Sequence, residues 1–181
     1  MTHFDIHSHL PYWEGLNHNI NIYADLFYKK NKSIIESTVI NALKIYSLHI
    51  NATSVDIKFN LVMFALEGLL LTKGENDLGK KLGEKTAFLT ENHPGDRRKK
   101  IYREMKKMYS KRSNFVHQKK DPKTSDKITS YDLVFIRNIF LKCVEEILSL
   151  EKNGTITKWS SDGGKNDNKS LDYYIENLIF S

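Results

Sequence analysis

Cysteine, proline and glycine are all scarce in this chain, and each scarcity closes off a class of fold. Among 181 residues there is a single cysteine, Cys143. Without a partner it makes no intramolecular disulfide, and no cysteine-based zinc cage can be assembled around it. It falls in an apolar helical run and reads as a small buried hydrophobe, a usage that suits a reducing compartment. Three prolines and nine glycines are too few turn-makers for an all-β design with many tight reversals, so a mainly helical fold is expected. No apolar run approaches the roughly 18 residues of a membrane-spanning helix. The opening MTHFDIH has neither the basic nor the apolar region of a secretory signal. A cytoplasmic location with no membrane partner is the expectation.

Positive charge is what the chain has in excess, and it is concentrated. Lysine and arginine number 28 against 22 aspartate and glutamate, for a net charge of +6. Between Arg97 and Lys120 stand eleven basic residues and one acid, Glu104, so this segment carries +10 and the remainder −4. Localised charge of this kind reads as the electrostatic footprint of a polyanion partner. The candidate RNA-binding residues are Arg97, Arg98, Lys99, Lys100, Arg103, Lys106, Lys107, Lys111, Lys119 and Lys120. For the run Arg97 to Lys100 taken alone, a solvated helix face is the plainer reading. Tyr102 and Tyr109 fit either base stacking or packing along the edge of a core.

The apolar spacing predicts an all-α, antiparallel bundle of four or five main helices in a single domain over residues 1–181, with its core at about 33–150. Residues 1–17 read as an irregular lead-in. Ser33 and Glu36 have capping-box spacing and open a helix to about Asn51. Residues 53–56 start a second helix, apolar nearly all round between Phe59 and Leu71 and therefore expected at the centre. A shorter helix is expected over Leu78 to Thr90, and the basic helix over about 95–117. Thr129 caps a further helix whose apolar face includes Ile136, Phe140, Val144 and Ile147. Residues 152–170 read as a flexible loop, and 171–180 as a short terminal helix or a partner-binding segment.

On the basic helix Ile101, Met105, Met108, Arg112 and Phe115 recur at core-facing spacing. Arg112 thus holds a position the periodicity assigns to an apolar side chain, and a buried guanidinium needs a partner. Glu67, the lone acid in the apolar central helix, is the candidate. Alternatively Arg112 lays its stem along the stripe while Glu67 reaches solvent. His117 follows Arg112 by five residues, about 140° around an ideal helix. It falls where Asp121 and Pro122 signal the helix end, so it remains available. A histidine beside a fixed cation can take the proton of a ribose 2′-hydroxyl while the cation stabilises charge on the phosphate.

Two stretches carry a resemblance: LVMFALEGLL at 61–70 and MYSKRSNFVH at 108–117. Together they resemble the HEPN superfamily, most closely its Apea-like branch with the R-x4-6-H motif, over residues 33–150. The resemblance implies an antiparallel helical bundle, often a homodimer whose two motifs face one another across a shared cleft. It implies metal-independent endoribonuclease activity that leaves 2′,3′-cyclic phosphate and 5′-hydroxyl ends, in defence, toxin–antitoxin or RNA-processing systems, with an antitoxin or other protein as a possible partner. It makes Arg112 and His117 the catalytic pair, with Ser113 and Asn114 supporting the site and Glu67 orienting Arg112. No cofactor and no metal ligand are implied. Gln118 stands where a glycine usually follows the histidine, and Ser113 where active members more often carry Asn, Asp or His. The superfamily also holds non-catalytic modules that bind RNA or proteins.

Asp5, His7 and His9 have the alternate spacing of a divalent-metal site on a strand. The barrels that use such a site draw further ligands from many strands, over about 250 residues. A polar terminal segment with chance histidines is the expected reading.

Overall fold

The computed structural model describes residues 23–24, 26–72, 74–91, 95–117, 127–159 and 169–180. The expected lead-in at 1–17, with Asp5, His7 and His9, lies outside the described residues, as do Lys119, Lys120, Pro122 and the middle of the 152–170 segment. Among the described residues six longer helices follow one another: α1 Ile34–Ser47, α2 Val55–Leu70, α3 Leu78–Thr90, α4 Asp96–Val116, α5 Ser130–Lys152 and α6 Leu171–Phe180. A short 3₁₀ turn, Leu48–Asn51, joins α1 to α2. The fold is an all-α helical bundle, and none of the described helices is long and apolar enough to cross a membrane.

The helix starts follow from local chemistry. Ser33 accepts from the Glu36 amide at 2.9 Å while the Glu36 carboxylate accepts from the Ser33 amide at 2.9 Å. This reciprocal box satisfies two amides that α1 would otherwise leave open. Ser54 caps α2, and Thr129 with Asp132 forms a second box at α5. Substituting such caps by alanine typically costs about 1 kcal/mol.

Packing is tightest between α3 and α4, which cross over two glycines. A Cβ built on Gly79 would lie 2.8 Å from the Tyr109 ring, and one on Gly83 would lie 3.0 Å from the Tyr102 ring. The pairing of 79 with 109 and 83 with 102 shows that the two helices run antiparallel. Phe59, Met63 and Leu66 of α2 meet Ile136, Phe140 and Ile147 of α5 in a core where all six are fully buried. Each such side chain contributes about 1.5–3 kcal/mol of hydrophobic stabilisation. Tyr46 of α1 stacks on Phe140, with ring centroids 4.5 Å apart.

α2 is central, packing against α1, α3, α4 and α5, and it keeps one open face, where Ile57 and Phe64 are exposed and Gly68 lies on the same side. The described ends of the 152–170 segment are tied together. Ile156 and Ser170 are fully buried, Lys158 pairs with Ser170 in a parallel bridge, and the Thr157 amide donates to the Lys169 carbonyl at 2.9 Å. This base delivers α6 back onto the bundle through Leu171 and Ile175.

A buried lysine completes that docking. Lys85 of α3, with its side chain 7% exposed, donates to the Leu70 carbonyl at 2.9 Å, Glu75 at 2.7 Å and Asp172 at 2.8 Å. All three ammonium hydrogens have acceptors, which is what makes the burial of a cation tolerable. One side chain thereby joins the end of α2, the following loop and α6. A cavity of about 110 Å³ lies beside it, lined by Glu75, Glu84, Asp172 and Glu176 among others.

Candidate functional site

Arg112 is reached through the buried stripe of α4. Met105 and Met108 seat the helix on the core, and the next inward position brings the guanidinium to α2. There Nη2 donates to Glu67 Oε2 at 3.0 Å. Both side chains are 16% exposed, so the pair is shielded without being sealed. The Arg112 guanidinium carbon lies 4.7 Å from the centroid of Phe64, one turn before Glu67 on α2. A cation over an aromatic face contributes about 0.5–2 kcal/mol, depending on desolvation. The pair is one-pointed, and Glu67 Oε1 and Arg112 Nε are buried with no hydrogen-bond partner among the described residues. Burial pushes the Glu67 carboxyl above the usual carboxylate range, and the attraction of Arg112 offsets this only in part.

His117 is the residue that ends α4. Its backbone turns out of helical geometry (φ −88°, ψ 8°), and its amide still donates to the Ser113 carbonyl at 3.0 Å. The side chain is exposed, while Ser113 and Asn114 are half-buried. Neither Ser113 nor Asn114 makes a side-chain hydrogen bond among the described residues, so neither side chain holds Arg112 or His117, and Ser113 meets His117 only through its carbonyl. The structure brings Glu67 to Arg112. No hydrogen bond joins His117 to Arg112 among the described residues, and a spacing of five on an ideal helix sets two side chains about 140° apart.

Phe115, expected in the core stripe, is instead 44% exposed, as is Val116. The cover over Met105 and Met108 thus does not extend to the last turn of α4. Phe64, which lies against Arg112, is likewise 41% exposed.

The basic residues divide into two groups. Arg97, Lys99, Lys100, Arg103, Lys106 and Lys107 are exposed along the outer face of α4. Of these, Lys107 pairs with Glu104 at 2.7 Å, and Lys99 lies 4.0 Å from Asp96, both surface contacts of small energy. Arg98 and Lys111 are committed to the fold instead. Arg98 donates through Nε and Nη2 to the Glu91 carbonyl, both at 3.0 Å, and its guanidinium lies 4.2 Å over Phe88. Lys111 donates to the Lys127 carbonyl at 3.0 Å and to Asp132 at 2.7 Å. Burial opposes the charge on Asp132, but Lys111 and Thr129 outweigh it and hold the carboxyl below its ordinary range. The Lys111–Asp132 pair fixes the end of α4 beside the start of α5. Tyr102 and Tyr109 are taken up by the two glycines of α3 and offer no free stacking face there.

Cys143 is fully buried, and burial pushes its thiol well above the usual range, so it is placed as a core side chain and not as a nucleophile. Among the described residues no group of three or more His, Cys, Asp or Glu side chains is arranged to hold a metal ion. Sequence spacing alone did not reveal Phe64 as a neighbour of Arg112, although its position one turn before Glu67 is the signal that would find it. No protein-family model, no curated protein and no solved structure matches the chain.

Proposed function

We propose that the protein is a HEPN-type RNA-binding protein that cleaves RNA without a metal ion, using Arg112 and His117. The observation that carries this reading is the Arg112–Glu67 contact. A charged arginine stands at a core-facing position of a strongly basic helix, oriented by a half-buried carboxylate, five residues before an exposed histidine that ends the same helix. In the chemistry proposed, His117 takes the proton of a ribose 2′-hydroxyl and the 2′-oxygen attacks the adjacent phosphorus. The bond from phosphorus to the 5′-oxygen breaks, and the proton ends on that oxygen. The products are a 2′,3′-cyclic phosphate and a 5′-hydroxyl. Arg112 stabilises the negative charge that builds on the non-bridging oxygens, the usual work of a preorganised cation.

The spacing of Arg112 and His117, about 140° apart on an ideal helix, favours a homodimer in which two α4 ends face one another across a groove, so that groups from both protomers act on one phosphate. The exposed Arg97, Lys99, Lys100, Arg103, Lys106 and Lys107 supply the approach for the RNA backbone. A role in defence, in a toxin–antitoxin pair or in RNA processing, within the cytoplasm, accompanies this reading.

A second reading rests on the same contact. Arg112 is largely shielded and already engaged by Glu67 and Phe64, as a structural arginine would be in a non-catalytic module that binds RNA or a partner protein. Analysis of product ends separates the two. Incubation of single-stranded RNA in EDTA gives cyclic phosphate ends under the first reading, and intact RNA under the second.

A further inference from the structure

Arg98, Arg112 and Arg137 are the half-buried arginines of the described chain. Arg98 donates to the Glu91 carbonyl and Arg112 to the Glu67 carboxylate. Arg137 of α5 has no such acceptor. Among the described residues its one hydrogen bond is long, from Nε to the Tyr46 hydroxyl at 3.5 Å. Both Nη groups lack an acceptor there, and neither is closed off from solvent. Tyr46 of α1 holds this corner together. Its ring stacks on Phe140, one turn after Arg137, and its centroid lies 4.5 Å from that of His49. The Tyr46 carbonyl meets His49 Nδ1; a carbonyl only accepts, so Nδ1 carries the hydrogen. His49 is itself buried, but the turn that carries it opens to solvent, with Leu48 and Ile50 on either side 58% and 66% exposed. Lys58, half-buried on α2, is the second cation at this corner. Burial lowers the proton affinity of His49, and Arg137 and Lys58 lower it further. No carboxylate is among the groups acting on His49. Neither Arg137 nor Lys58 makes an ion pair among the described residues. Three elements thus gather two fixed cations, a phenol and an imidazole with no acid to balance them.

We propose that Arg137, Lys58 and Tyr46 form a binding site for a phosphate-class dianion. The site shares no residue with the Arg112–Glu67 pair and stands whether or not the chain cleaves RNA. Charge selects the ligand. Two fixed positive charges match the two negative charges of hydrogen phosphate, repel a divalent cation, and exceed what chloride or a single carboxylate neutralises. Hydrogen bonding selects in the same direction. The guanidinium offers parallel donors that fit two oxygens of one phosphate. The Tyr46 hydroxyl accepts from Arg137 Nε and so keeps its own hydrogen to donate. Lys58 adds a flexible ammonium, and every group at the corner other than the imidazole is a donor or a cation. His49, which feels both cations, reports whether an anion offsets their field.

The test is titration calorimetry of the full chain with inorganic phosphate, at about pH 7.5, where the dianion dominates, and at an ionic strength held constant with sodium chloride. The expected result is saturable binding by wild type. Arg137→Gln should weaken it by roughly 10- to 100-fold, the range of a lost hydrogen bond to a charged group. Lys58→Gln should weaken it as well, and it carries the comparison if Arg137→Gln lowers the unfolding midpoint. Lys152→Gln, which removes an exposed lysine from the far end of α5, should bind as wild type does. The His49 ring resonance, assigned by its loss in His49→Gln, should move over the same range of phosphate concentration. Adenosine 5′-monophosphate is the second titrant. Tighter binding than inorganic phosphate identifies the ligand as a phosphomonoester on a larger molecule; equal or weaker binding identifies the free ion. Absence of saturable binding overturns the proposal. So does equal weakening by Lys152→Gln, which would show diffuse screening of surface charge. Binding that both Arg137→Gln and Lys58→Gln leave intact, or that leaves the His49 resonance in place, puts the anion elsewhere and also overturns it.

Discussion

Arg112 Nη2 lies 3.0 Å from Glu67 Oε2, while Arg112 Nε and Glu67 Oε1 remain without partners among the described residues. A one-point ion pair in this setting is held by orientation more than by energy. Much of the Coulomb attraction is spent on desolvation, and the raised Glu67 carboxyl records that balance.

The two residues should therefore behave as a unit. Arg112→Met alone leaves a shielded carboxylate unpaired and should cost about 1–3 kcal/mol, less than a fully buried pair because both side chains keep some solvent contact. Arg112→Met combined with Glu67→Leu should recover most of that loss. Urea denaturation of the two single variants and the double variant measures the coupling, and simple additivity would show that the contact is incidental.

Glycine substitutions should split by position. Gly83→Ala and Gly79→Ala each drive a methyl group into a tyrosine ring of α4, at 3.0 and 2.8 Å. Overpacking of this kind costs about 1–3 kcal/mol, more than the helix propensity alanine gains. Gly68→Ala meets open space and should stabilise by up to about 1 kcal/mol. Thermal unfolding of the three variants gives the order directly, and equal effects at all three sites would contradict the close α3–α4 contact.

Much of the architecture was legible because it is local. The boxes at Ser33–Glu36 and Thr129–Asp132 are four-residue patterns, and the bounds of α3 and α4 follow from periodicity between clear breaks. The meeting of Arg112 with Glu67 was also legible, since one stripe had a charge where a hydrophobe belongs and one apolar helix had a lone acid. Phe115 was misplaced for a physical reason: periodicity gives the side of a helix that faces inward, not the point at which its neighbours end. The structural use of Arg98 and Lys111 was hidden because their partners include the Glu91 and Lys127 carbonyls, and every residue has a carbonyl. Lys85 was hidden because its partner Asp172 lies 87 residues away.

Lys85 gives a prediction of its own. Lys85→Met removes one cation and leaves Glu75, Asp172 and the Leu70 carbonyl without it. A loss of about 2–4 kcal/mol is expected, with faster amide exchange in α6 and at the end of α2 than in α5. Exchange that rises evenly across all helices would show that Lys85 does not hold α6 in particular.

The stability profile should fall on the acid side of neutrality through His49. Burial pushes its imidazole below the ordinary value, Arg137 and Lys58 add to this, and the hydrogen bond with the Tyr46 carbonyl opposes it. The unfolded chain binds that proton more readily than the folded one. Stability is therefore complete above the unfolded value of about 6.5 and is lost as the pH falls through the folded value. Glu67, shifted upward, contributes in the opposite sense. His49→Gln should flatten the decline in urea midpoint between pH 7 and 5; an unchanged slope would assign the decline to other groups.

The central claim is that Arg112 and His117 cleave RNA. It is tested most directly by the rate of single-stranded RNA cleavage in EDTA for wild type, His117→Ala and Arg112→Lys, alongside their unfolding midpoints. The expected outcome is metal-independent cleavage by wild type and a loss of at least about 100-fold in His117→Ala at an unchanged midpoint, in line with the removal of a general base. Arg112→Lys should also lose activity, because an ammonium cannot reproduce the guanidinium geometry. Equal activity in wild type and His117→Ala, or no cleavage by wild type, would contradict the account.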